Sequence, residues 1–249
     1  MRARRTFFEG KTMSIFSEIA SFVGKRETLI SKPSIEPYVN RIVHGDSIEW
    51  MRRLPDQCVD LIVTDPPYVT NYREKAGRKI QNDNNSEWIE PAFFEAHRLL
   101  KNDAFCVSFY GFAHADKFVS VWRACGFRLM GHFTFLKSYS SSVGYSKMSH
   151  ECAYLLVKGK PKRPHSPPAD VLPWKYTGNK IHPTQKPVSA LIPLIDAYSK
   201  PGDIVLDPFG GSGSTAVAAK NRGRRFVLFE IEERFANLAR ARVLANKPE

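Results

Sequence analysis

The chain has 249 residues, 43% hydrophobic and 25% charged, with a formal net charge of +12 from 37 Lys and Arg against 25 Asp and Glu. That length suits one α/β domain with a full core, and no apolar run approaches the ~20 residues that a membrane-spanning helix needs. The basic balance points to a polyanionic partner, most often nucleic acid.

Residues 1–40 read as an N-terminal extension, with a short amphipathic helix over 14–23 and chain breaks at Pro33 and Pro37. The opening MRARRTFFEG lacks the apolar centre of a secretory signal, so a cytoplasmic location is expected. Met13 is an alternative start, which would set residues 1–12 apart from the native protein. RIVHGD (41–46) then predicts a strand, and SIEWMRRLP (47–55) a helix capped by Ser47. VDLIVTD (59–65) is a continuous apolar run, the pattern of a strand buried on both faces of a parallel sheet. Residues 69–87 are polar and aperiodic, and a connection that long inside a domain is usually functional. Helices follow at 88–101 and 112–126, with a strand at 104–111 between them. Two further strands are expected at 132–138 and 151–159, then an irregular Pro-rich basic stretch at 160–170. IHPTQKPVSALIPLIDAYS (181–199) is a loop entering a helix near Pro187. The last third repeats strand, turn and helix, closing on a helix that ends near Ala245. Alternating strands and helices predict a parallel α/β sheet with helices on both faces.

The four cysteines, Cys58, Cys106, Cys125 and Cys152, form no CxxC pair. They read as reduced core residues, and no metal site is expected. His150 and Cys152 could ligate a metal, but the core or loop reading is preferred.

Two turns carry the chemistry. DPFGGSGST (207–215) follows a strand and opens a helix; Gly210, Gly211 and Gly213 permit a tight turn and close approach of a ligand to backbone. No Lys precedes its Ser and Thr, so it is not a triphosphate-binding P-loop. Glu230 ends the next strand, where an acid accepts hydrogen bonds from ribose hydroxyls in nucleotide-binding α/β folds. Asp207 is placed to hold a cationic group, and the set points to an adenosine-type cofactor. The other turn is DPPY (65–68), which ends the buried strand at 59–65.

DPPY (65–68), HPTQKPV (182–188) and DPFGGSGST (207–215), in that order, resemble the amino-methylating DNA methyltransferases of the β class. The resemblance runs from about Arg41 to Ala245, apart from a stretch in the middle. It implies a circularly permuted Rossmann-like sheet and S-adenosylmethionine as cofactor. The catalytic domain is then 41–136 with 181–249, and 137–180 is the target-recognition segment.

The residue roles follow from that. Catalysis falls to Asp65, Pro66, Pro67 and Tyr68. An exocyclic amino group is a poor nucleophile because its lone pair is conjugated into the ring. The Asp65 carboxylate and the Pro66 carbonyl can accept its two N–H bonds, the diproline fixes that carbonyl, and Tyr68 can stack on the base. Cofactor contacts are expected from Asp207, Phe209, Gly211, Gly213, Thr215 and Glu230, joined through the resemblance by Thr184, Lys186 and Asp46. A helix cap is the alternative role of Asp46. DNA contacts are expected from Arg73, Lys75, Arg78 and Lys79 in the long loop, and from Lys137, Tyr139 and Lys147. The segment 137–180 has eight Lys and Arg against two Asp and Glu, with Tyr145, Trp174 and Tyr176 interspersed.

The expected reaction is methylation of adenine N6 in double-stranded DNA after base flipping. Asp rather than Ser at the head of DPPY is commoner among the adenine enzymes of the family. Cytosine N4 is the alternative, followed by RNA or protein glutamine methylation and by a non-catalytic DNA-binding module. Methylation of cytosine carbon is rejected because no cysteine here follows a proline. The resemblance suggests a prokaryotic or phage context and leaves open a homodimer and a cognate restriction endonuclease.

Overall fold

The computed structural model describes residues 33–70, 83–141, 144–176 and 185–246. The expected helix over 14–23, the expected DNA contacts Arg73, Lys75, Arg78 and Lys79, and the expected cofactor contact Thr184 lie outside that set. A compact unit begins at Ile35, ahead of Arg41, because Ile35 is buried and Tyr38 packs edge-on against Trp50.

Among the described residues eight strands form one sheet: β1 (Arg41–His44), β2 (Val59–Thr64), β3 (Leu100–Phe109), β4 (Arg128–Lys137), β5 (His150–Lys158), β6 (Val171–Trp174), β7 (Ile204–Asp207) and β8 (Arg225–Glu230). Their spatial order is β1-β8-β7-β2-β3-β5-β4-β6. The helices are α1 (Ser47–Arg52), α2 (Ile89–Leu99), α3 (Ala115–Ala124), α4 (Val188–Tyr198), α5 (Ser214–Asn221) and α6 (Glu233–Ala245). Helices α1, α2 and α3 pack on one face of the sheet and α4, α5 and α6 on the other. Strand residues alternate between the two cores. Leu61 and Val63 of β2 face the second group, Val59 and Ile62 the first. An apolar run can therefore be buried on both sides, which is why it reads as continuous.

The sheet is parallel except for β5, which runs against both β3 and β4. The wholly parallel reading is corrected there: β4 and β5 form a hairpin, and a hairpin needs no helical crossover. β4 starts at Arg128 rather than 132, and β3 at Leu100 rather than 104. Strand β6 was not expected in its Pro-containing stretch; it lies at the sheet edge, where Pro173 is tolerated.

The central pair matters most for the site. β2 and β7 are parallel neighbours, with Leu61 opposite Val205 and Ile62 opposite Leu206. At their amino ends the Asp60 carboxylate accepts the Ile204 N–H at 2.9 Å. Two turns far apart in sequence therefore emerge side by side at the carboxyl edge, where ligands bind in open α/β sheets.

Candidate active site

One pocket lies at that edge. It is lined by Asp46, residues 64–68, Trp88, Phe109, Lys186, most of the turn 207–215 and Glu230. Asp65 leaves the end of β2 with its side chain 20% exposed, and Lys186 donates to its Oδ2 at 2.6 Å. The Tyr68 hydroxyl donates to Oδ1 at 2.7 Å. Burial raises the Asp65 pKa above the usual carboxylate range, and Lys186 and Tyr68 oppose that rise. Burial, then the Asp65 charge, push the Tyr68 phenol well above its ordinary value, so it stays a neutral donor. The Lys186 ammonium is 5.0 Å from the Phe109 ring centroid, 5.4 Å from Tyr68 and 5.7 Å from Trp174. Lys186, expected beside the cofactor, lines the pocket and pairs its ammonium with the Asp65 carboxylate.

The turn after DPPY is held firmly. Val69 has φ of 60°, a left-handed conformation that costs a β-branched residue about 1–3 kcal/mol. Thr70 then donates its N–H and its hydroxyl to the buried Asp83, at 3.2 and 3.0 Å. Behind Tyr68 sits Gly111, where an added Cβ would lie 2.7 Å from the Tyr68 Cβ. Its φ of −86° suits any residue, so the glycine is needed for space alone. On the roles that the resemblance implies, Gly111→Ala is expected to displace Tyr68 and lower kcat for methyl transfer about 10–100-fold, the scale of a 1 Å misplacement. Cofactor affinity, measured by calorimetry, should be unchanged; an unaltered kcat would show that Tyr68 need not be positioned.

The second turn is built around two acids. Asp207 Oδ1 accepts the Thr64 hydroxyl at 3.0 Å and the Phe209 N–H at 3.1 Å, and Oδ2 accepts the Thr215 hydroxyl at 2.7 Å. Burial pushes the Asp207 carboxyl up to about 7 despite those donors. Thr64 therefore joins β2 directly to the turn 207–215. Glu230 accepts the Gly211 N–H at 2.7 Å and the Glu232 N–H at 2.8 Å. Burial raises its pKa too. Gly213 caps α5 with φ of 76°. From α6, Arg242 Nη1 donates to the Ser212 carbonyl at 3.0 Å and to the Ser214 hydroxyl at 3.0 Å. Ser214 in turn donates to the Lys186 carbonyl at 2.7 Å. Asp46, rather than Ser47, caps α1: its Oδ1 accepts the N–H groups of Ile48 and Glu49; Asp46 also lines the pocket.

The DNA-binding candidates separate. Lys147 is exposed; Tyr139 is partly covered by Tyr176, ring centroids 4.8 Å apart. Lys137 points inward and pairs with Glu151. The segment 137–180 divides as well. Residues 138–141 and 144–149 lie between β4 and β5 at the pocket edge, whereas 159–170, with Lys160, Lys162 and Arg163, joins β5 to β6 at the opposite edge. Sequence reading missed Thr64, Trp88, Phe109, Gly111 and Arg242. All take their roles from neighbours remote in sequence; Arg242 looks like any other charge of the last helix, which also holds Glu233, Arg234 and Arg240.

Parallel strands ending in DPPY and in a Gly-rich turn, with the DPPY strand first in the chain, define a permuted Rossmann-like methyltransferase fold. The family described as DNA methylase, of the N6/N4 type, matches residues 59–241. YubD of Escherichia coli (strain K12) is 46% identical over 207 residues, 83% of this chain and 91% of that protein. The crystal structure of M1.HpyAVI with SAM superposes with a TM-score of 0.66 at 25% identity, covering 82% of this chain and 98% of that one. The cytosine-N4-specific PvuII DNA methyltransferase shares the fold, with a TM-score of 0.68 at 19% identity over 84% and 87% of the two chains. The chain belongs to the N6/N4 DNA methylase family, and its cofactor is S-adenosylmethionine.

Proposed function

We infer that the protein methylates the exocyclic N6 of adenine in double-stranded DNA. The observation that carries this reading is the meeting of residues 65–68 with the turn 207–215 in one pocket, across adjacent strands. The pocket suits the cofactor in its chemistry: the buried carboxylates of Asp207 and Glu230 would meet a positively charged, hydroxyl-bearing group, and the glycines bring backbone to the pocket wall. Glu230 would hold the ribose hydroxyls, Asp207 the cationic end, and the opening of α5 the part between. The bound group supplies an electrophilic methyl on a sulfonium.

The chain's own residues do the rest. Asp65 accepts one N–H of the amino group through a lone pair left free beside Tyr68 and Lys186. The Pro66 carbonyl accepts the other, and Tyr68 covers the base. Asp65 also takes the positive charge that grows on the nitrogen, and its raised pKa fits it to remove the proton. The target amino group is closed off in a duplex, so the base must flip into the pocket. Lys147, with Arg73, Lys75, Arg78 and Lys79, is assigned to DNA contact. The reading is compatible with a homodimer and with a cognate restriction endonuclease as partner.

Cytosine N4 is the second reading, because that amino group offers the same two N–H bonds. Methylation-sensitive sequencing of DNA from cells with and without the protein tests both. Adenine marks that depend on the protein support the first reading; cytosine marks alone replace it with the second.

The raised acid in the cofactor turn adds a pH dependence. With a pKa of about 7, Asp207 is about half protonated at neutral pH, and a cation bound beside it favours the carboxylate. S-adenosylmethionine binding is expected to release protons near pH 7 and to tighten between about pH 6 and 7.5. Calorimetry in buffers of different ionisation heat measures this, with Asp207→Asn as the control that should lose the release. Equal release in both proteins would assign the proton elsewhere.

A further inference from the structure

A second ion pair stands behind the pocket, among residues that do not line it. Lys137 ends β4 and Glu151 lies near the start of β5, in a hairpin with Phe135 opposite Glu151. The Lys137 N–H donates to the Ser149 carbonyl at 2.8 Å, and its ammonium donates to the Glu151 carboxylate. The side chains are 3% and 22% exposed. Pairs this buried gain little over apolar residues in stability, so their presence asks for another use.

The pair reaches the catalytic carboxylate through one ring. The Lys137 ammonium lies 5.4 Å from the Trp174 centroid, and the Lys186 ammonium lies 5.7 Å from it. Both distances are within cation–π range. Charges therefore succeed one another from Asp65 to Lys186, then Lys137, then Glu151. Burial acts to raise the Glu151 pKa, yet Lys186 and Lys137 outweigh it and hold the group below the usual range. Glu151 in turn acts to raise Asp65.

The geometry points to Lys137 and Glu151 as a positioning pair that sets how firmly Lys186 is drawn onto Asp65. The inference rests on the reading of Asp65 as the acceptor for the target amino group. Lys186 touches Asp65 but also sits in the field of Glu151. Without Lys137, Glu151 is short of a cation and draws Lys186 away from Asp65. Without Glu151, Lys186 answers to Asp65 alone. The charged and titratable groups acting on Asp65 are Lys186, Tyr68, Glu151 and Asp207. Those acting on Glu151 are Lys186, Lys137 and His150, with Asp65, Tyr68, Tyr139 and Cys152 in its own field.

The signs are opposite for the two partners. Glu151→Gln removes a negative charge near Asp65, so Asp65 stays ionised to lower pH and the acid limb of the kcat profile moves down. Lys137→Met leaves Glu151 uncompensated, so the limb moves up. Lys137→Arg should keep the wild-type limb, and the double variant Lys137→Met with Glu151→Gln should return towards it. Titration of the Asp65 carboxyl carbon by NMR, assigned by its loss in Asp65→Asn, should show the same directions with neither cofactor nor DNA present. Opposite shifts support the pair; no shift, or both single variants shifting alike, overturns it. If the folded wild-type protein methylates no nucleic acid, the reading of Asp65 fails instead, and the NMR titration still decides whether the pair acts on its carboxylate.

Discussion

Asp65→Asn is expected to lower kcat for methyl transfer by about 10³-fold or more while leaving the fold intact. Removing one preorganised hydrogen-bonding partner of a reacting group typically costs about 10²–10³ in rate. Here the loss is compounded, because Asn has no negative charge to meet the charge growing on the nitrogen. Its amide N–H₂ also has to face the target amino group or the donors Lys186 and Tyr68. Asn keeps the size of Asp, so the packing around the end of β2 survives. S-adenosylmethionine affinity should change by less than about tenfold, since that is the effect of only about 1.4 kcal/mol. Single-turnover kinetics with calorimetry separates the two quantities. Equal losses in rate and cofactor affinity would place Asp65 in the cofactor site rather than at the acceptor.

Gly213→Ala is expected to damage the other half of the pocket. Gly213 has φ of 76°, and a Cβ added there would lie 2.9 Å from the Ala239 Cβ on α6. The left-handed backbone costs an Ala about 1–2 kcal/mol, and the overpacking adds about 1–3 kcal/mol. Relief requires α5 to move away from α6, and that movement carries Ser212 and Ser214 off Arg242. Denaturant unfolding should therefore show a loss of about 2–5 kcal/mol. S-adenosylmethionine affinity should fall in the protein that remains folded. Full stability in the variant would mean that the α5–α6 contact is looser than the structure gives.

These two residues also mark how much could be read from the chain. Asp65 was legible because an apolar run ends abruptly in a carboxylate and two prolines, and Gly213 because glycines cluster between a strand and a helix. Local pattern also carried the alternation of strands and helices, and chain order carried the permuted sheet. The antiparallel run of β5 was not legible, since two apolar strands in succession say nothing of their relative direction. β6 was hidden by Pro173, which reads as a breaker wherever edge position is unknown. Lys137 was assigned to DNA because a lysine in a basic segment looks solvated. Its partner Glu151 is fourteen residues away, and only the hairpin of β4 and β5 brings them together. Thr64, Gly111 and Arg242 escaped for the same reason. Each is ordinary in its local stretch and takes its role from a residue on another element.

The central claim is that one pocket brings an amino-group acceptor and a methyl donor site together on DNA. It is tested most directly by incubating duplex DNA with the protein and S-adenosylmethionine carrying a deuterated methyl, then analysing the nucleosides by mass spectrometry. The expected result is labelled N6-methyldeoxyadenosine from the wild-type protein and none from Asp65→Asn. Label on a ring carbon of cytosine, or full labelling by Asp65→Asn, would contradict it.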